Sequence, residues 1–186
     1  MIKQEDNYIR SKKNKYLKMS IIWMSIVLII FFAGIIVSKQ RANYFTVVAA
    51  VLVISLAQNL TRYIAIRRFN SPSKEHVSIL NTIKGDCYLY HGVLLPDTKK
   101  IHFIDHVIIT ENHIYFIAQD IKTIDNVKDW LVKGLSKKGI NQKELQFINI
   151  KDEKQVKEAA KSIEKELQIK GSMLDQKSEI LEAMMM

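Results

Sequence analysis

Two long uncharged runs dominate the first third of the chain, and short strand-like and helix-like patterns fill the rest. MSIIWMSIVLIIFFAGIIVS, residues 19–38, is twenty residues without a charge, enough to cross about 30 Å of hydrocarbon as a helix. YFTVVAAVLVISLAQNLTRYIAI begins at Tyr44. Its uncharged run ends at Thr61, and Ile64 and Ile66 carry the apolar pattern past Arg62, whose long side chain can snorkel to an interface. SKQRAN, between the runs, leaves room only for a tight turn. The pattern predicts a transmembrane hairpin within residues 19–68, with spans at about 19–38 and 44–64. The first run exceeds the roughly 7–15-residue apolar core of a secretory signal, and a second span follows at once, so the pair reads as a retained anchor.

From residue 69 the period shortens. FNSPSKEH, residues 69–76, is a boundary of turn and cap formers. Ser73 is placed to cap a helix carrying Val77, Ile79, Leu80 and Ile83, which Gly85 would stop. CYLYHGVLLP (87–96), IHFIDHVIIT (101–110) and IYFIAQD (114–120) read as strands separated by the turns DTKK and TENH, a three-stranded antiparallel meander. Val127, Trp130, Leu131 and Leu135 then follow helical spacing up to Gly139, and LQFINI (145–150) reads as a fourth strand. In KDEKQVKEAAKSIEKELQ a helix is expected, capped by Asp152, with Val156, Ala159, Ala160, Ile163 and Leu167 on its inner face. The fold class is thus a hairpin anchor followed by an α/β domain: helix, meander, helix, strand, helix, over residues 69–170. In the tail, residues 171–186, Leu174, Ile180 and Leu181 allow a short helix, with disorder or docking both open.

Charge changes the picture at the membrane. Residues 1–70 hold 11 Lys/Arg against 2 Asp/Glu, whereas residues 71–186 hold 17 against 17 and no Arg. The net charge of +9 therefore belongs to the N-terminal third. The segment 1–18 and the far end of the second span are the basic flanks, so the positive-inside rule places both termini in the cytoplasm. Those flanks attract anionic lipid. The neutral α/β domain gives no support for binding a phosphate backbone, and without Arg it lacks the bidentate phosphate fork. Gln58 and Asn59 sit near the cytoplasmic end of the second span, where water is close. Gly34, Ala49, Ala50 and Ser55 permit close helix approach.

The single cysteine, Cys87, excludes an intrachain disulfide and reads as a small buried residue. All five histidines fall between residues 76 and 113. On an alternating strand His102 and His106 share a face but stand about 13 Å apart, too far for one ion unless a bulge intervenes, and no CxxC, HExxH or HxH accompanies them. Asp105 is different. Alternation sets it beside Phe103, Val107 and Ile109, with His102, Ile104, His106 and Ile108 opposite, and both faces are largely apolar. An acid there must be paired, hydrogen-bonded or metal-bound. It is either a site residue or a structural carboxylate.

The stretch from Lys74 to Asp120 resembles the NERD family, the nuclease-related domain of the restriction-endonuclease-like PD-(D/E)xK superfamily. KEHVSILNTI, YLYHGVLLP, FIDHVIIT and HIYFIAQD follow the family's helix, strand, IDH strand and E-x-K strand in order. The resemblance implies a metal-dependent nuclease site in which a helix glutamate, the IDH aspartate and the E-x-K pair hold a divalent cation such as Mg²⁺ and activate water. Glu75 and Asp105 match the first two. The E-x-K pair falls on Ala118-Gln119-Asp120, so the glutamate is replaced by alanine and the lysine by aspartate. Asp120 as a second carboxylate, together with Asp105 as a metal ligand, would require a shift of about 7 Å along the strand, and Lys122 lies two residues further on. The catalytic candidates are therefore Glu75, Asp105 and Asp120, in a degenerate motif.

The expected function is a membrane-anchored cytosolic module that binds a protein or another ligand without catalysis and without a cofactor. The alternative is a membrane-tethered, Mg²⁺-dependent nuclease, the one reading that calls for nucleic acid. A third is a small membrane protein that acts through its hairpin as a homo-oligomer.

Overall fold

The computed structural model describes residues 1–4, 7–39, 43–97, 100–167 and 174–185, with only the backbone described at 121–123 and 126. Two compact units emerge. One comprises Ile9–Asn70, and the other combines Met1–Tyr8 with Ser71–Met186.

The first unit is built on helices α1 (Tyr8–Ser38) and α2 (Tyr44–Arg67). Both are long and apolar enough to cross a membrane. Their apolar side chains stay largely exposed, Ile29, Ile36, Val37, Val51 and Ile54 among them. At 1.5 Å per residue α1 is about 46 Å long, so its basic first turns extend the helix beyond the apolar run. Asn43 caps α2, its side-chain oxygen accepting from the Thr46 backbone N–H at 3.0 Å. Gly34 lies so close to Phe45 that an added Cβ would overlap it, as expected of a small residue at a helix crossing.

The second unit is a five-stranded mixed sheet in the order β1-β2-β3-β4-β5. Its strands are β1 (Ile2–Gln4), β2 (Tyr88–Pro96), β3 (Ile101–Ile109), β4 (Ile114–Ala118) and β5 (Leu145–Asn149). The meander β2-β3-β4 is present and antiparallel, but it is the middle of a larger sheet and not a unit by itself. β5 joins β4 in parallel, the crossover being helix α4 (Ile121–Ser136). β1 joins β2 in parallel and comes from the segment before α1. That strand is a departure from the sequence reading: IKQ is too short to show a period.

Helices cover both faces. On one, α4 and α6 (Leu174–Glu182) pack Leu131, Leu135 and Leu181 against Tyr90, Val107 and Phe116. On the other, α3 (Lys74–Leu80) and α5 (Glu153–Glu166) pack Leu80, Val156 and Ile163 against Leu89, Ile108 and Ile117. Helix α3 ends at Leu80, five residues before Gly85, with Asn81 as its C-cap. Ser73 and Asp152 hold the N-cap positions of α3 and α5, but neither side chain makes a capping hydrogen bond. The tail docks: Tyr90 bonds Ser178 and Glu182, and Lys177 pairs with Glu144 at 2.6 Å.

The face assignment of β3 is corrected in one respect. Ile104 belongs to the same core as Val107 and Ile109, while Ile108 belongs to the opposite one. On β2, Tyr90 and Val93 likewise share a core. Alternation therefore slips once on each strand, at Asp105 and at its cross-strand neighbour Gly92, whose φ is +68°. A left-handed residue in a strand is a local kink that glycine accepts without strain.

Candidate functional site

The slip at Gly92 and Asp105 decides where the histidines go. His102 stays on the α4 face, stacked on Trp130 with ring centroids 5.9 Å apart. His106 turns to the α3 face, so the two do not share a side as strict alternation requires. There it meets His91, its direct cross-strand partner, through an Nδ1···Nδ1 hydrogen bond of 2.8 Å. His91 Nε2 lies 3.0 Å from Asn81 Oδ1. A carbonyl oxygen only accepts, so His91 carries its proton on Nε2 and accepts at Nδ1. His106 must then donate from Nδ1, which leaves its Nε2 as a lone pair. That atom is buried and has no hydrogen-bond partner among the described residues. Burial, with His91 and His76 adding to it, pushes the His106 pKa down to about 3, so the ring is neutral at pH 7.

His76 completes the cluster from α3. It is buried, its ring centroid is 6.3 Å from that of His106, and its Nδ1 lies 3.3 Å from Gln119 Nε2. Gln119 also donates its backbone N–H to Asp105 Oδ2 at 2.9 Å. Asp105, Gln119, His76, His106, His91 and Asn81 therefore form one polar neighbourhood beside the point where β4 ends. Burial raises the Asp105 carboxyl above its usual range, while the Gln119 N–H and His76 pull it back.

The sequence-derived candidates separate in the structure. Asp105 lies in this neighbourhood. Glu75 is exposed in the first turn of α3 and accepts a hydrogen bond from the Ser73 hydroxyl at 3.1 Å; its neighbour His76 faces the sheet instead. Ala118 is buried at the last position of β4. Asp120 is exposed, past the end of that strand, and the Lys122 side chain lies outside the described residues. Among the described residues no three His, Cys, Asp or Glu side chains are grouped so as to hold a metal ion. A hard divalent cation takes oxygen ligands, whereas the groups that meet Asp105 are the Gln119 backbone N–H and the His76 imidazole. The donor set present does not fit Mg²⁺.

His76, His91, His106 and Gln119 are not among the candidates that the sequence singles out. A signal for two of them was available. Pairing Pro96 with Ile101 across the turn sets His91 opposite His106. Considering spacing within one strand hides a pair formed between two.

A cavity of about 300 Å³ lies elsewhere, lined in part by Cys87, Thr110, Glu111 and Glu166. Thr110, just past the end of β3, is five residues, or about 17 Å of extended chain, from Asp105. Glu166 there accepts from Thr110, His113 and Tyr115. Burial alone would raise its carboxyl, and these bonds bring it below the usual value. The carboxylate is engaged in joining α5 to the β3–β4 turn.

A family model described as NERD, nuclease-related domain, matches residues 73–180. No curated protein and no solved structure matches the chain.

Proposed function

The chain belongs to the nuclease-related domain family, and from that premise we propose that it is a membrane-anchored cytosolic binding module whose family domain does not cleave. The observation that carries this reading is at the end of β4. Where the family pattern calls for a glutamate stands buried Ala118, and the one acid held at the sheet centre, Asp105, is engaged with the Gln119 backbone. Metal-assisted phosphodiester hydrolysis needs ligands that converge on the cation, and the family pattern adds a lysine where this chain has Asp120. The surface formed by Asp105 and Gln119, with buried His76 beneath it, offers hydrogen-bond donors and acceptors suited to a polar ligand or a protein loop.

The anchor is the pair α1 and α2. The chain leaves the sheet unit at Tyr8 and re-enters it at Ser71, so both ends of the hairpin return to one folded body. An even number of spans satisfies that connection, and the basic flanks favour the cytoplasm for both termini and anionic lipid as a contact. The partners in this account are the bilayer, anionic headgroups, and a protein bound by the α/β domain or a second copy of the chain.

The nuclease reading has one observation in its favour: Asp105, which matches the IDH aspartate of the family pattern, lies beside the end of β4. A cleavage assay on the purified full chain with Mg²⁺ or Mn²⁺ and several DNA and RNA forms separates the two. The binding module leaves every substrate intact. Cleavage lost in Asp105→Ala would establish the nuclease.

A further inference from the structure

We propose that Gln4 is a positioning residue for the histidine cluster, so that the strand leading into the first apolar helix is part of the support of the Asp105 surface. The inference rests on taking that surface as the working one.

Gln4 lies in β1, opposite Tyr90 of β2, where the pairing register is irregular. It is only 7% exposed. Its side-chain amide donates to two consecutive backbone carbonyls, His91 O at 2.8 Å and Gly92 O at 3.0 Å. In a regular strand successive carbonyls point to opposite sides, and a single amide cannot reach both. The left-handed Gly92 brings them together. Gln4 thus binds the kinked form of β2 in preference to the regular form.

That kink sends His91 toward His106 and Asn81, and it faces Asp105 across the β2–β3 pair. Without the Gln4 amide, the contact that favours the kinked form is gone, and a regular β2 backbone would recover the alternation that turns His91 away. Only three residues, 5–7, join Gln4 to Tyr8, the first residue of α1. Lys3, in the same strand, has different partners: it pairs with Glu182 at 3.6 Å and lies over the Tyr88 ring. It is the control for strand docking as such.

The test is imidazole ¹⁵N NMR on the full chain in lipid nanodiscs, with labelled histidine. This readout reports cluster geometry whether or not the surface binds anything, so it fails independently of the proposed function. In the unaltered chain His91 should show the Nε2–H tautomer and His106 the Nδ1–H tautomer. Gln4→Ala should move both toward averaged tautomers, and Lys3→Ala should leave them in place. Where Gln4→Ala does not fold, Gln4→Asn, shorter by one methylene, provides the same reading. Unchanged imidazole signals in the Gln4 variants, or equal changes in Lys3→Ala, would overturn the inference.

Discussion

The Asp105 carboxylate accepts the backbone N–H of Gln119 at 2.9 Å, tying the centre of β3 to the residue at which β4 leaves the sheet. A position that the family pattern associates with metal binding is here part of a hydrogen-bonded strand end. Asp105→Ala removes the acceptor and should cost about 1–3 kcal/mol, measured by denaturation of the full chain in detergent. Asp105→Asn keeps an acceptor oxygen and should cost less.

The same pair carries a pH signature. Burial raises the folded-state pKa of Asp105 above its ordinary value of 3.8, so the folded state binds the proton more tightly than the unfolded chain does. Stability from this group is fully present below the unfolded value and falls as pH rises through the folded one. The melting temperature of the unaltered chain relative to Asp105→Asn should therefore rise as pH is lowered toward 3.8. A difference that is flat with pH would contradict the assignment.

His106 gives the opposite sign. Its pKa is lowered to about 3, so its contribution is present above the unfolded value of 6.5 and is lost as pH falls, at up to about 1.4 kcal/mol per pH unit. The His106 ring should show no titration between pH 5 and 8 by NMR. A midpoint in that range would mean that the ring reaches water.

The tail should be protected by its polar contacts. Lys177 is buried and donates to the Glu111 carbonyl as well as pairing with Glu144, so trypsin should cut there slowly. Tyr90→Phe removes the hydroxyl shared by Ser178 and Glu182. A loss of about 1–2 kcal/mol should accelerate cleavage after Lys177 about tenfold, read by mass spectrometry. An unchanged rate would place the hold on α6 elsewhere.

Restoring the family pattern provides a separate test. Ala118→Glu with Asp120→Lys introduces a carboxylate at a buried position near Asp105, which should destabilise the chain by several kcal/mol unless it is paired. Added Mg²⁺ or Mn²⁺ should raise the melting temperature of this variant and leave the unaltered chain unmoved. A cation-dependent rise in the unaltered chain would show that its own donors suffice.

Much of this was legible in the sequence where a residue's role depends on its neighbours along the chain. Val156, Ala159, Ala160 and Ile163 mark the buried face of α5 by spacing alone, and the turns around DTKK and TENH delimit β2, β3 and β4. Roles set across the sheet were not legible in that way. Gly92 and Asp105 change the alternation of two strands at once, which placed Ile104 and His106 on faces that a strict period of two forbids. Gln4 pairs with residues some ninety positions later, in a segment too short to show any period. Glu75 and Asp120 hold their places in a motif, but α3 turns His76 inward and β4 ends at Ala118. A motif fixes order, and it is the end of a strand that decides which side chain is exposed.

The central claim is that this membrane-anchored domain binds without cleaving. It is tested most directly by incubating the full chain with Mg²⁺ or Mn²⁺ and single- and double-stranded DNA and RNA, alongside Asp105→Ala. The account predicts equal, background-level cleavage by both proteins. Cleavage by the unaltered chain that disappears in Asp105→Ala would contradict it.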